Sequence, residues 1–373
     1  MRRFAWFDCL RCLAILLVMF AHAGHYETAL PPWLAAPYLD LQWISWVGVD
    51  LFFVLSGFLV SGLLFDEHDQ RGDIDIKRFL IRRGFKIIPP FYFLILVTAI
   101  HDAIFLHGID LVHLFHDIFF LQSYRIGAWG IAWTLSVEVH FYILLGLLLY
   151  VLSRRSARQE KWLTPLPAII CGVLAFGFLA RLINSGLHHG AFNAHREFWP
   201  SHLHLDVLAA GVLLRYLYSY HHEALAPFTR HKAVWLLLGL LLVLPSDFLW
   251  LPHHPALLTA LIPTCNYLGF GLILFLATQV PFPETGWRAK AVAPFDYLGK
   301  HSYSIYLWHM PVQEWLINPF FHVPSPAYFV LFFIGSLAVG TFFSEVLEMP
   351  VLHFRNRMFP SAGSPRPPGA GIR

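Results

Sequence analysis

Residues 79–100 read FLIRRGFKIIPPFYFLILVTAI, a short basic segment followed directly by a long apolar run. Arg82 and Lys86 are four residues apart, so their side chains lie on one face of a helix. A guanidinium gives a phosphate two parallel hydrogen bonds, and an ammonium adds a point charge. We therefore expect a membrane helix whose entrance can hold a phosphorylated ligand. Pro89 and Pro90 are expected to bend this helix.

Long apolar runs of this kind continue along the whole chain. Of the 373 residues, 57% are hydrophobic and 13% are charged, whereas a soluble domain carries about 25% charged residues. The runs are continuous over about 20 residues, as membrane helices require, while strands of a membrane barrel have about 10 residues and alternate. The sequence therefore predicts an all-α integral membrane protein. Residues 4–356 are expected to form one membrane domain, and the Pro- and Gly-rich segment 357–373 is expected to be a disordered cytoplasmic tail.

The apolar runs predict a bundle of ten transmembrane helices. They cover residues 7–25, 45–65, 80–105, 129–152, 165–184, 201–220, 233–250, 256–279, 296–317 and 326–348. Loop charge indicates the orientation, because Lys and Arg collect on the cytoplasmic side of a membrane. The side that holds both termini carries 22 of the 26 Lys and Arg residues, while Arg125, Arg181 and Arg196 lie on the other side and Arg11 lies within a span. We expect both termini in the cytoplasm and the chain in the inner membrane of the cell.

Polar side chains inside the predicted spans are the best guide to function, because each costs free energy in a bilayer and is usually kept for a purpose. His22 lies about 21 Å into the first span at 1.5 Å per residue. Asp50, near the outer end of the second span, is its expected partner. Glu138, about halfway along the fourth span, needs a partner or must be protonated. A structural interpretation stands beside each of these, since a lone helix histidine is usually a core residue with its hydrogen bonds satisfied.

Further residues extend this predicted site. Arg11 is three residues from Asp8, and an interfacial ion pair explains the two as well as a functional site does. Tyr303 and His309 belong to a polar and aromatic stripe in the ninth span. Additional cations next to the Arg82 and Lys86 pair raise the local positive potential for an anionic ligand. They are Arg78 and Arg83.

These residues fall in stretches that resemble the acyltransferase 3 family of multi-pass bacterial membrane acyltransferases. In the family's order the stretches are FDCLRCLAILLVMFAH (7–22), GVDLFFVLSGFLVSGLLF (48–65), RRGFKIIPPFY (82–92), WTLSVEVHFY (133–142), LGKHSYSIYLWHMPV (298–312) and the ending EMP (348–350). The resemblance covers nearly the whole chain. It implies ten core helices and transfer of an acyl group, commonly acetyl from acetyl-CoA, to a hydroxyl of a glycan or another extracytoplasmic acceptor.

The resemblance also implies roles for individual residues. It makes His22 the catalytic residue, which we expect to act as a base with Asp50 and Glu138 as further catalytic groups. It assigns a third-span RxxxR pair to the donor's phosphates. Here Lys86 replaces the second arginine of one pair, and Arg78 with Arg82 forms an overlapping one, so Arg78, Arg82, Arg83 and Lys86 are the candidates for binding acyl-CoA. Arg11, Tyr303 and His309 are the candidates for binding the substrate. His140 departs from the family pattern.

Two other classes of protein compete with an enzyme. A secondary transporter also has about ten spans with intramembrane charges, but the sequence shows no paired inverted half-repeats. A di-metal membrane oxygenase would need clustered histidine boxes, and only His22 and His25 have such spacing, so no metal is expected. The expected partners are acyl-CoA, a hydroxyl acceptor and the lipid bilayer, without nucleic acid. Direct transfer and a ping-pong route through acyl-histidine both agree with the sequence.

Overall fold

The computed structural model of the chain describes residues 4–24, 31–155, 162–187, 193–245, 256–321 and 325–360. In these ranges the chain is helical and contains no strand. The α-helices are α1 (Ala5–Ala21), α2 (Pro32–Ile44), α3 (Val47–Arg71), α4 (Ile76–Phe105), α5 (Leu111–Ile118), α6 (Trp133–Arg155), α7 (Leu166–Leu187), α8 (Ala194–Glu197), α9 (Leu205–Tyr220), α10 (Pro227–Arg230), α11 (Lys232–Val243), α12 (Ala256–Thr278), α13 (Gly286–Lys300), α14 (Ser302–Pro311), α15 (Pro326–Phe343) and α16 (Met349–Met358). The prediction of an all-α protein is confirmed for the part of the chain that the structure describes.

Six helical segments in these ranges are long and apolar enough to cross a membrane, as expected of a multi-pass membrane protein. They are Trp33–Arg71, Ile76–Phe105, Gly130–Arg154, Leu166–Leu187, Ala256–Thr278 and Pro326–Met358. Each of the ten predicted spans contains an α-helix, but α1, α9, α11 and α14 are shorter than 18 residues. Six spans are supported by length and composition, and the total of ten stays a prediction.

Close helix crossings hold the centre of the bundle together. Helices α3 and α9 cross at Gly57, where an added Cβ would lie 1.9 Å from the carbonyl oxygen of Leu208. Helices α1 and α13 cross at Gly299, where an added Cβ would lie 1.7 Å from the carbonyl oxygen of Asp8. Only glycine lets two backbones approach this closely. These crossings bring α1, α3 and α13 together around one central space.

The ends of the elements differ in detail from the predicted boundaries. Helix α4 continues through Pro89 and Pro90 without interruption. Helix α16 includes Arg357 and Met358, the first two residues of the predicted tail, and residues 361–373 of that tail lie outside the described residues.

Arg181, which the charge count placed on the outer side, lies within α7, as its predicted span 165–184 requires. Its side chain is buried within α7 and forms two hydrogen bonds with the carboxylate of Asp206, at 2.9 and 2.7 Å. An arginine with a carboxylate partner can remain inside a bundle, so loop charge alone could not place it.

Candidate active site

A cavity of about 160 Å³ lies between α1, α3, α4, α6 and the junction of α13 with α14. Among the described residues, four basic side chains and one carboxylate line it. They are Arg11, Arg83, Lys86, Lys300 and Glu138. Five residues of the predicted site, Arg11, Arg83, Lys86, Glu138 and Tyr303, thus meet at one space, although they come from four different stretches of sequence.

The cavity has a basic end and an apolar end. Phe53 packs on Trp133 and Ser56 donates to Glu138, so α3 and α6 run side by side in the same direction. Tyr142 is the last residue of α6 that lines the cavity, and its ring lies 5.9 Å from the guanidinium of Arg83. This is the basic end.

Thr134 is the first residue of α6 that lines the cavity and lies eight residues before Tyr142. Its hydroxyl forms a hydrogen bond with that of Tyr306 in α14. The lining here is otherwise largely apolar. It comprises Val49, Phe52, Phe53 and Leu135. The change from charged to apolar lining takes about 12 Å along α6.

Glu138 lies between the two ends. Ser56 donates a hydrogen bond of 2.6 Å to its Oε1, and Tyr142 lies beside this carboxylate. Glu138 and Tyr142 are one helical turn apart, so both face the cavity. Among the described residues this buried carboxylate thus has the hydroxyl of Ser56 as its hydrogen-bond partner, and the positive charges of Arg83 and Arg11 also act on it.

Of the four basic residues that line the cavity, Arg11, Lys86 and Lys300 form ion pairs, and Arg83 forms none with the described residues. Its Nε is buried and has no hydrogen-bond partner among the described residues. The guanidinium lies close to the ring of Tyr142. Because Arg83 forms no ion pair with the described residues, the positive charge of its guanidinium is available to an anionic ligand in the cavity.

The two arginines that the sequence assigned to the phosphates of the donor have other partners within the protein. Arg82 donates to the carbonyl of Phe359 and, at 3.3 Å, to the side chain of Asn356. Arg78 forms an ion pair with Glu67. Neither of these two arginines is among the described residues that line the cavity. Their assignment to the donor's phosphates stays a prediction that this arrangement does not favour.

Lys86 faces the cavity and is also tied to the C-terminal part of the chain. It forms an ion pair with Glu348, which is 1% exposed and accepts further hydrogen bonds from Ser304 (2.6 Å) and Ser344 (3.1 Å). The ammonium lies 5.3 Å from the ring centre of Tyr303. Lys86 thus joins α4, α14 and the segment Ser344–Glu348 between α15 and α16.

The two tyrosines of α14 follow the cavity from one end to the other. Tyr303 donates to the carbonyl of Ile87 at 2.7 Å. Tyr306 hydrogen-bonds the carbonyl of Ile131 (2.7 Å) and the hydroxyl of Thr134 (2.8 Å). These bonds join α14 to the start of α6 and close the apolar end.

His22 and His309 lie next to this closed end but do not line the cavity. Their ring centres are 5.1 Å apart, and the ring of His309 is 5.5 Å from that of Tyr306. Each Nδ1 is held by a backbone carbonyl, that of Val18 (2.8 Å) or of Tyr306 (2.6 Å). A carbonyl can only accept, so in the neutral rings Nδ1 carries the proton and both Nε2 atoms are bases. The Nε2 of His309 is buried without a described partner.

Asp50 is not the partner of His22, contrary to the sequence prediction. Its Oδ2 accepts a hydrogen bond of 2.8 Å from Asn266 of α12, and the carboxylate is 2% exposed. Its electrostatic neighbours are Arg181 and Asp206. The two residues were expected to meet because both lie at the outer ends of their spans, but Asp50 faces α12 and His22 faces α14.

Sequence reasoning gave no role to several residues of the lining, among them Tyr142, Lys300 and Thr134. The spacing of Tyr142, four residues after Glu138, is a signal that could have found it. Lys300 stands at the end of α13 and has no such signal. His140 faces away from the cavity and bonds Ser201 at 2.8 Å, so the family departure lies at a helix contact. Within the described ranges, no group of three His, Cys, Asp or Glu side chains could hold a metal ion.

Comparison with known proteins agrees with the sequence resemblance. Residues 4–345 match the acyltransferase 3 family, described as "Acyltransferase domain". A Staphylococcus aureus (strain COL) protein named provisionally as an O-acetyltransferase is 26% identical over 93% of this chain and 56% of its own length. The peptidoglycan O-acetyltransferase OatA of Listeria monocytogenes is 24% identical over 86% of this chain and 50% of its own. The chain spans about half the length of the curated relatives it matches. No solved structure matches it.

Proposed function

The chain belongs to the acyltransferase 3 family, and from this we propose that it is a membrane O-acyltransferase. It transfers an acyl group, acetyl in the first instance, from acyl-CoA to a hydroxyl of a cell-envelope or exported glycan. Relatives that carry the name O-acetyltransferase support the reaction, and the name of one specifies peptidoglycan. Family membership does not favour a secondary transporter.

The proposed topology has ten spans in the inner membrane and both termini in the cytoplasm. The uneven distribution of Lys and Arg between the two sides supports it. In this orientation the basic end of the cavity faces the cytoplasm, where CoA is found, and His22 lies toward the opposite side, where an envelope glycan would be met.

The cavity is the observation that carries the proposal. Its basic end, with Arg83 at its centre, suits the phosphates of CoA, since a guanidinium binds phosphate in a fixed geometry. Glu138, farther in, can accept a hydrogen bond from an amide N–H of the donor's pantetheine arm. The thioester then lies at the apolar end, next to Tyr306 and the two histidines.

The chemistry requires a base and a route for one proton. Nε2 of His22 takes the proton of the acceptor hydroxyl as its oxygen attacks the thioester carbon. A carbon–oxygen bond forms, the carbon–sulfur bond breaks, and CoA leaves as a thiolate, which takes the proton from the His22 imidazolium and so restores the base. Because Tyr306 separates the cavity from His22, its hydrogen bonds to Ile131 and Thr134 must open during each transfer.

The test compares envelope glycans of four strains by mass spectrometry: wild type, a deletion strain, and the deletion strain expressing either His22→Ala or His222→Ala. We expect His22→Ala to lack every acyl group that the deletion lacks. His222→Ala, an exposed histidine outside the cavity, is the matched control and should restore acylation. If His22→Ala restored acylation as well, the assignment of the base would be wrong.

A further inference from the structure

We infer that the apolar end of the cavity, at Val49 and Phe53, is the pocket for the acyl group and that it restricts the protein to short acyl chains. The inference rests on the proposed function, because it locates the acyl part of acyl-CoA within the same cavity. It names residues that set the choice of donor.

The first argument is the match between the cavity and the donor. Acyl-CoA has an anionic nucleotide at one end and a small apolar group at the other. The cavity likewise has cations at one end and Val49, Phe52 and Phe53 at the other. On α3, Val49 and Val60 line opposite ends and are eleven residues apart, about 16 Å of helix. Binding in the reverse direction would leave the phosphates against apolar side chains, at a high cost in desolvation.

The second argument is that the apolar end is closed. Phe53 is 1% exposed, and its ring lies 6.0 Å from those of Trp133 and His204 behind it. Gly48, next to Val49, packs on α1 so closely that an added Cβ would lie 2.6 Å from the carbonyl of Ala14. A wall built on such contacts cannot retreat to admit extra methylene groups.

The third argument is the position of the pocket relative to the reacting groups. Tyr306 forms part of the same end, and its ring is next to His309, which is next to His22. An acyl group held against Val49 and Phe53 therefore lies at the end of the cavity from which transfer to the acceptor starts. A longer chain would hold the thioester back from this position.

The experiment measures donor preference in membrane vesicles that contain the full chain and native envelope acceptors. Acetyl-CoA, propionyl-CoA and butyryl-CoA are supplied in turn, release of the CoA thiol is followed, and release by His22→Ala vesicles is subtracted. Val49→Ala should raise the ratio of propionyl to acetyl rates about tenfold, the usual effect of one methylene in a tight pocket. Val60→Ala, the same substitution at the basic end of α3, should leave that ratio unchanged.

Val49→Leu provides the opposite test and removes no buried volume, so it covers the case in which Val49→Ala fails to fold. It should lower the propionyl-to-acetyl ratio below that of wild type. An unchanged ratio in both Val49 variants, or an equal rise in Val60→Ala, would overturn the inference while the proposed function stood. Absence of His22-dependent CoA release from wild-type vesicles would instead overturn the proposed function, and the pocket with it.

Discussion

Three neighbouring cations on α4 have different partners, although all lie within two helical turns. Arg82 reaches the carbonyl of Phe359, Lys86 pairs with Glu348, and Arg83 faces the cavity with its Nε unpartnered among the described residues. A cation already engaged by the protein must give up that partner to bind a ligand. The donor should therefore depend most on Arg83.

Arg83→Ala should raise the KM for acetyl-CoA about tenfold or more, because a hydrogen bond between two charged groups contributes about 1.5–3 kcal/mol. Arg83→Lys should give an intermediate value, since it keeps the charge and loses the planar fork. The measurement is the KM for acetyl-CoA in vesicles at saturating acceptor.

Arg78→Ala is the matched control for Arg83→Ala, because it removes a guanidinium of the same helix that is paired with Glu67 outside the cavity. Its KM should stay close to that of wild type, because the Arg78 guanidinium pairs with Glu67 and does not line the cavity. A larger effect at Arg78 than at Arg83 would return the donor site to the overlapping RxxxR pair that the sequence indicated.

Residue spacing predicted which side chains share a helix face, but not which helix covers that face. Glu138 was expected in the site because a carboxylate in a long apolar run is costly, and it lines the cavity. Asp50 was chosen by the same reasoning, yet its face is covered by Asn266 of α12. Which helix covers a given face depends on how far each helix is rotated about its own axis. A single sequence does not specify that rotation.

At the scale of elements, the cavity exists because α1, α3, α9 and α13 approach one another closely. At the α3–α9 crossing, Gly57 meets the backbone of Leu208, and an added Cβ at Gly211 would lie 2.2 Å from the carbonyl oxygen of Val54. Neither backbone can move without shifting Phe53 and Ser56, which line the cavity on the same helix. The crossing thus determines the shape of the site.

Gly57→Ala should lower the thermal midpoint of the detergent-solubilised protein, because the new methyl group overlaps a backbone atom that no rotamer change can move. We expect a loss of about 1–3 kcal/mol, as for other overpacked cores, together with reduced acyl transfer. Thermal unfolding followed by size-exclusion chromatography gives the midpoint. Gly271→Ala in α12, where nothing lies within 4 Å of the added Cβ, is the matched control and should be neutral or slightly stabilising. Equal losses at both positions would contradict the close-crossing explanation.

At the scale of the whole molecule, hydropathy predicted an all-helical membrane bundle because twenty apolar residues in a row have few other stable states. Hydropathy was a weaker guide to the number of transmembrane spans. Helix α11 has 12 residues, about 18 Å, against a hydrocarbon core of about 30 Å, and residues 246–250 of its predicted span lie outside the described residues. Of the four spans whose α-helices are shorter than 18 residues, those of α9 and α11 follow each other in the chain, so one loop position tests both.

The segment between α9 and α11 tests two of the predicted spans together. If both helices cross the membrane, Arg230 lies in the cytoplasm; if neither crosses, the same residue lies outside. In a variant without the four native cysteines, we expect Arg230→Cys to react with a membrane-impermeant maleimide only after the cells are permeabilised. Arg125→Cys should react in intact cells, and Arg154→Cys only after permeabilisation, so the two serve as outer and inner controls. Labelling of Arg230→Cys in intact cells, with both controls as expected, would reduce the ten spans to eight. The loops before α9 and after α11 would then stay on the outer side, so the spans of both helices would be lost together.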